Sequence, residues 1–294
     1  MRVDIHTHMW SETGVPGFLR DYSASRADDS SVVSGAENLL ASLDVCGIDA
    51  AVAVALVHSP DMPDDEVDAL NRYVAEQVSL YPQRLVGFCA VNPRSPNAAA
   101  MLRAELDAGA RGMKFHGAMQ ELNVDDQLLY PLYEILAEAG SPILFHSGDI
   151  GVLPNKDHHT RATLFDAVAC DFPELPMILG HAGRIDFNTT AGLLRKHANV
   201  YADISSVIGR DPATQTVPLR RLLEIVKTWA GSVDHVLFGS DAPLYTPAAT
   251  QANLDLLLRE LEDEPSRIIT PEDVRAVRDE NAAVFAAKYR LFDN

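Results

Sequence analysis

The sequence repeats one pattern along nearly its whole length, a short apolar run followed by a stretch with apolar residues at helical spacing. Runs this short and this uniformly apolar are typical of parallel strands that helices cover on both faces. About eight such units follow one another, which favours an α/β fold, the closed (β/α)8 barrel, over an open doubly wound sheet. The predicted strands are residues 1–8, 50–57, 85–91, 111–116, 142–146, 175–181, 199–204 and 235–240.

The open-sheet alternative would place a glycine-rich phosphate loop after the first strand, where this sequence has HTHMW. No linker or shift in composition divides the chain, so we expect one domain over residues 1–294. The polar segment at about residues 11–34 lacks periodicity. A loop of that length beside a first strand is either a lid over a site or a disordered surface insertion.

Composition limits the partners. The net charge is −18 and the pI is about 4.8, which argues against nucleic acid and anionic membrane surfaces as partners. An anionic substrate would need a metal or a local positive cluster to hold it. No apolar run is long enough to span a membrane. We expect no signal peptide and three reduced thiols in apolar surroundings (Cys46, Cys89 and Cys170), hence a cytoplasmic protein.

The first strand ends in His6-Thr-His8. Alternate side chains of a strand share a face, so His6 and His8 point the same way and make half of a metal site. Alone, the pair is better explained as a chance pair on a partly buried strand.

Polar side chains also end four later strands, and in a βα barrel these ends meet at one rim. Three imidazoles and a carboxylate (His6, His8, His146 and Asp241) would hold Zn²⁺ or a similar divalent ion, such as Mn²⁺, and leave room for water. Asp241 would then move a proton, and His181 would polarise a carbonyl or act as general acid or base. The residues at these strand ends are Lys114, His116, His146, His181 and Asp241.

Five further residues have a functional and a structural interpretation. His116 follows Lys114 by two, so it either faces the pocket or packs. Arg184 either grips a substrate carboxylate or makes a surface salt bridge. Trp10 either walls the pocket or packs the barrel rim. The loop histidines His158 and His159 either reach substrate or are solvated.

The motifs DIHTH, GMKFH, LFHSGD, LGHAG and LFGSDAP, in this order, resemble the amidohydrolase superfamily, within it the amidohydrolase-related branch that includes aminocarboxymuconate-semialdehyde-type decarboxylases. ENAAVF near the end is similar to the closing helix of that branch. The resemblance implies His6, His8 and His146 as metal ligands, with Asp241 and His181 at their strand ends. It places Lys114 where some members carry a carbamylated lysine between two metals, although KFH motifs generally accompany one metal and a substrate-binding lysine. It also implies a possible homodimer.

Three functions follow as expectations. The first is a hydrolase that uses a metal-activated water to cleave an ester, lactone, amide or activated carbonyl bond of a small organic acid. The second is a non-oxidative decarboxylase of an aromatic or muconate-like acid, with Arg184 on the acid group. The third is a barrel that binds metal and ligand without turnover. The first two share one set of ligands, so the motifs separate them poorly.

Overall fold

The computed structural model describes residues 1–24, 32–148, 153 and 155–293. Within these residues, eight strands alternate with helices, and each strand runs parallel to its neighbours. The strands β1 to β8 cover Val3–His8, Ala50–Val54, Leu85–Phe88, Met113–Phe115, Ile143–His146, Met177–Gly180, Val200–Asp203 and Val236–Leu237. All of their residues are buried, as strands covered on both faces require.

Backbone hydrogen bonds close the strands into a barrel. Between β3 and β4, the N–H of Cys89 donates to the carbonyl of Gly112 over 2.9 Å, and its own carbonyl accepts from Lys114 over 2.7 Å. Between β8 and β1, the N–H of Ile5 donates to the carbonyl of Phe238 over 3.0 Å, and that of Asp241 donates to the carbonyl of His6 over 2.8 Å. The predicted (β/α)8 barrel is confirmed.

The helices form the outer layer of the barrel. Ala36–Cys46 buries Leu39, Leu40 and Leu43 against the barrel and ends where Gly47 adopts a left-handed φ of 63°. In chain order, α1 to α11 cover Gly17–Ala24, Ala36–Cys46, Asp64–Ser79, Ala98–Asp107, Tyr130–Ala139, Phe165–Asp171, Phe187–Lys196, Val217–Ala230, Pro247–Asp263, Pro271–Arg275 and Asn281–Lys288. A π-helical turn, Ala276–Glu280, joins the last two.

The polar segment after β1 contains a short helix, α1, that its composition did not indicate. Two backbone hydrogen bonds between Trp10 and Ser34, each 3.1 Å long, join the two ends of this segment. Val15 and Leu19 are buried beside Trp10 in a small apolar cluster outside the main core. Residues 25–31 of the predicted lid lie outside the described residues, and the lid stays a prediction.

Two cysteines match their predicted setting and one does not. Cys46 and Cys89 are buried, whereas Cys170 is exposed on α6, so the expectation of a core thiol there is wrong. The apolar neighbours of Cys170 in the sequence belong to the inner face of the helix, and the thiol faces outward. No described helix is long and apolar enough to cross a membrane. The cytoplasmic location and the homodimer stay predictions.

Candidate metal centre

The predicted site residues surround one cavity of about 50 Å³ at the carboxyl ends of the barrel strands. Apart from the two loop histidines, the side chains that the sequence indicated as ligands, catalytic groups or substrate contacts all line it. These are His6, His8, Trp10, Lys114, His116, His146, His181, Arg184 and Asp241. The other lining residues are Leu19, Leu56, Met119, Asn155, Asp157 and Leu244.

Three of these side chains form a group with the spacing of metal ligands. One ligand atom each from His6, His8 and Asp241 lies within 4.8 Å of the others. Oδ1 of Asp241 is 3.1 Å from Nε2 of His8 and 3.5 Å from Nε2 of His6. Burial lowers the pKa of His8 to about 4, so its imidazole is neutral, the form that binds a metal. This group can hold a divalent ion.

Asp241 is ionised although it is buried. Burial alone would raise the pKa of its carboxyl, but the hydrogen bond from His8 and the neighbouring imidazoles of His181 and His6 hold it well below the usual range. Asp241 adopts a left-handed φ of 68°, a backbone strain of about 1–3 kcal/mol that the surrounding structure must offset. That conformation turns the strand-eight carboxylate towards the ligands on β1.

Asp203, at the end of β7, fixes the orientation of His6. Its Oδ2 lies 2.8 Å from Nδ1 of His6, and its Oδ1 accepts the backbone N–H groups of His181 and Ser205 over 3.0 and 2.9 Å. Burial alone would raise the pKa of Asp203, but His6, His181 and the Ser205 hydroxyl lower it, so the carboxyl is an anion. An anionic acceptor at Nδ1 keeps the proton there and leaves Nε2 of His6 for a metal.

We did not assign this role to Asp203 from the sequence. Its position could have indicated the role, because Asp203 lies at the end of a predicted strand, as the strand-end histidines of the site do. What the sequence could not supply was the partner, since His6 is 197 residues away in the chain.

His146 lines the cavity but lies outside the three-residue group. Its Nδ1 is 3.1 Å from Nε2 of His181, its Nε2 is 3.4 Å from Nη2 of Arg184, and its ring stacks on that of His116 with centroids 3.8 Å apart. Because Arg184 can only donate, Nε2 of His146 accepts, and its Nδ1 donates to His181. The role of His146 as a fourth ligand stays a prediction.

Lys114 and His116 occupy the β4 side of the cavity. Nζ of Lys114 is 3.1 Å from Nε2 of His6, and burial lowers the pKa of this lysine to about 8, against the opposing effects of Asp241 and Asp203. His116 accepts the N–H of Met119 at Nδ1 over 3.2 Å, and burial holds its pKa well below the usual value. His116 is therefore a neutral imidazole with its proton on Nε2.

Arg184 forms no ion pair within the part of the chain that the structure describes. Its role in holding a substrate carboxylate stays a prediction. Its Nε is buried and has no hydrogen-bond partner among the described residues. The turn that carries it is strained, with left-handed φ of 63° at His181 and 55° at Arg184. This guanidinium is placed to receive an anion.

Trp10 forms an apolar wall beside the ligands. Its ring stacks on that of His8 with centroids 4.6 Å apart, and it is 1% exposed. Both earlier interpretations apply at once, because the indole lines the cavity and packs with Leu19. The loop histidines His158 and His159 are not among the lining residues, and His159 instead pairs with Asn123 over 2.7 Å.

A family model described as amidohydrolase matches residues 3–285 of the chain. Among curated proteins, the chain is 22% identical over 193 residues to a 2-amino-3-carboxymuconate-6-semialdehyde decarboxylase from Dictyostelium discoideum. That match covers 59% of this chain and 51% of the relative, so the chain spans about half the length of the curated relative that it matches.

Two solved structures share the whole fold at low identity. The 5-carboxyvanillate decarboxylase from Sphingomonas paucimobilis superimposes with a TM-score of 0.68 and 17% identity, covering 99% of both chains. A dihydroxybenzoic acid decarboxylase from Polaromonas sp. JS666, with bound manganese and the inhibitor 2-nitroresorcinol, gives 0.70 and 18%, covering 100% of this chain and 98% of the other.

These comparisons correct the expected reaction. All three relatives are named as decarboxylases, so the expectation of a hydrolase as the main activity is wrong, and the alternative is the better supported. The reason is physical. The histidines at the strand ends and the aspartate after strand eight predict a metal centre. The same kind of metal centre can serve hydrolysis or decarboxylation, so these residues do not distinguish the two reactions.

Proposed function

Because the chain belongs to the amidohydrolase family, we propose that it is a metal-dependent, non-oxidative decarboxylase of an aromatic or muconate-like carboxylic acid. The observation that carries the proposal is the pairing of two groups in one cavity. One is the metal-ligand group of His6, His8 and Asp241, and the other is the guanidinium of Arg184, which forms no ion pair with a described residue. With a divalent ion held by the first group, a carboxylate between the two would meet positive charge on both sides.

The residues present fit a divalent ion. Neutral imidazoles and an ionised carboxylate are the donor types that Zn²⁺ and Mn²⁺ both accept. His6, His8 and Asp241 would hold the ion, with His146 as a further ligand from the same cavity wall. The manganese in the Polaromonas relative supports Mn²⁺ beside the expected Zn²⁺. When bound, the ion would withdraw electrons from substrate oxygens and orient the ring.

The chain's own residues would bind the acid and move one proton. Arg184 would hold the carboxylate through two parallel hydrogen bonds, and Trp10 would pack against the ring. Cleavage of the bond to the carboxylate carbon releases CO₂ and leaves an electron pair on the ring carbon. That carbon takes up one proton, which Asp241, an anion in the free site, would first accept from solvent water and then pass to the carbon. His181, Lys114 and His116 offer neighbouring nitrogen atoms for charge that develops on substrate oxygens.

Leu19, from the described part of residues 11–34, is among the lining residues of the cavity. This supports the proposal that the segment covers the bound acid and belongs to the same single domain as the barrel. Exclusion of water would strengthen the charge interactions of Arg184 with a carboxylate.

The test is CO₂ release by protein loaded with Mn²⁺ or Zn²⁺. The probes are 5-carboxyvanillate, a dihydroxybenzoate and 2-amino-3-carboxymuconate-6-semialdehyde. We expect CO₂ from at least one probe, and a loss of about 100-fold or more in Asp241→Asn. Asp234→Asn, an exposed aspartate just before β8, is the matched control and should retain activity. Absence of CO₂ from all three acids would overturn the proposal.

A further inference from the structure

A second and larger cavity lies beside the candidate active site. Its volume is about 510 Å³, and His181 and Arg184 line both cavities. A molecule in the outer cavity therefore reaches the same guanidinium that faces the metal-ligand group. The other lining residues of this outer cavity are Ile185, Phe187, Ser206, Val207, Ile208, Gly209, Arg210, Pro218, Tyr245 and Ala249.

The two cavities differ in size, so each suits a different part of the substrate. Sites for organic ligands usually enclose about 300–1,000 Å³. The inner cavity, about 50 Å³, is far below that range, whereas the outer cavity of about 510 Å³ lies within it. The inner cavity therefore suits the reacting carboxylate and the edge of the ring that carries it, beside Trp10, and the outer one suits the rest of the molecule.

The charge of the outer cavity is opposite to that of the chain. Its described lining residues include two arginines, Arg184 and Arg210, and no carboxylate, although the chain has 42 acidic residues against 24 basic ones. Arg210 makes no ion pair with any described residue. On a protein of net charge −18, such a lining attracts an anion that the rest of the surface repels.

The wall around Arg210 is mostly apolar. Phe187, Val207 and Ile208 contribute hydrocarbon surface, and Ile185 is 70% exposed directly after Arg184. A ligand that fits this wall has an apolar body with an anionic group at its far end.

We infer that the outer cavity binds the distal part of the substrate, and that Arg210 recognises a second anionic group there. The substrate class is therefore an elongated acid with two anionic groups, one held by Arg184 beside the metal ligands and one held by Arg210. This inference rests on the proposed function for the identity of the reacting group. It assigns to Arg210 a role in specificity, and none in the cleavage itself.

The test measures binding by calorimetry to metal-loaded protein. The probes are two pairs, each a monoacid and the matching dicarboxylate. The short pair is benzoate and terephthalate. The long pair is para-phenylbenzoate and biphenyl-4,4′-dicarboxylate, which carries its second carboxylate on the far ring. We expect wild type to bind one dicarboxylate about tenfold more tightly than its monoacid, since an arginine–carboxylate hydrogen bond contributes that much. In Arg210→Gln the preference should fall to less than about twofold, with monoacid affinity unchanged.

Arg221→Gln, an exposed arginine on α8 outside the lining, is the matched control and should keep the preference. Equal affinity within both pairs in wild type, or a preference that survives Arg210→Gln, would overturn the inference. Because binding is measured without turnover, a protein that shows this preference and releases no CO₂ would reject the proposed reaction alone. A protein that releases CO₂ without the preference would reject the role of Arg210 alone.

Discussion

Nδ1 of His6 lies 2.8 Å from Oδ2 of Asp203, and both side chains are completely buried. The contact joins the first strand of the barrel to the seventh across its interior. It determines which nitrogen of His6 faces Asp241, and with it whether His6 can act as a ligand. The metal centre thus depends on a residue that does not itself face the ion.

Asp203→Asn should therefore weaken metal binding without removing a ligand. An amide is a neutral acceptor and can flip, so Nδ1 of His6 is no longer held as the protonated nitrogen. We expect the metal dissociation constant to rise about 10–100-fold, measured by competition with a chromogenic chelator. Asp234→Asn serves as the control. Unchanged affinity in Asp203→Asn would show that the contact only packs the barrel.

The chain should bind one divalent ion. Nζ of Lys114 lies 3.1 Å from Nε2 of His6, and a pKa of about 8 leaves the amine mostly protonated at neutral pH. A cation in that place disfavours a second metal. Elemental analysis of protein purified without chelator should give about one ion per chain, and added bicarbonate should not change it. Two ions per chain in bicarbonate would identify Lys114 as a carbamate bridge.

Gly180 should tolerate no side chain. A Cβ there would lie 2.6 Å from the carbonyl oxygen of Phe145 and 3.1 Å from Cε1 of His6. We expect Gly180→Ala to lower the free energy of unfolding by about 1–3 kcal/mol in urea titrations. Gly192, inside α7, has nothing within 4 Å of such a Cβ. Gly192→Ala should raise stability by about 0.5–1 kcal/mol, and a loss as large as that of Gly180→Ala would refute the contact argument.

Asp4 should make the stability of the metal-free protein depend on pH. Its Oδ1 accepts the backbone N–H groups of His6 and Ser240, its Oδ2 has no partner among the described residues, and burial raises its pKa from 3.8 to about 7. Between pH 3.8 and about pH 7, the Asp4 carboxyl is deprotonated in the unfolded chain and protonated in the folded chain. Stability contributed by this group is therefore present at low pH and declines as pH rises towards 7.

Asp4→Asn should remove this decline, because an amide does not ionise. The readout is the difference in the slope of unfolding free energy against pH between wild type and variant, measured in chelator. The expected difference is on the order of 1 kcal/mol per pH unit between about pH 4 and pH 7. Identical slopes would show that Asp4 is ionised in the folded protein.

The sequence predicted the barrel and the location of the site because both follow from local patterns. Alternating apolar runs and helical faces determine the strand ends, and the topology then brings His6, His181 and Asp241 to one rim. What local pattern cannot supply is the pairing of distant side chains. The link between Asp203 and His6 is such a pairing, and so is the contact between Arg184 and His146.

The reaction was also predicted wrongly from the sequence. His6, His8 and Asp241 determine that a metal can bind, whereas the bond that breaks depends on what holds the substrate beyond the metal. We propose that Arg184 is that part of the site, and strained backbone after β6 places its side chain. Such segments have no periodicity from which to predict them.

The most direct test of the proposed decarboxylation follows the carbon atom that carries the carboxylate. In deuterated water, the metal-loaded protein should convert its acid substrate to a product with one deuterium at that carbon, and release one CO₂ for each product molecule formed. Asp241→Asn should release little of either. A product formed by addition of water, without CO₂ and without deuterium at that carbon, would contradict the assignment of the chain as a decarboxylase.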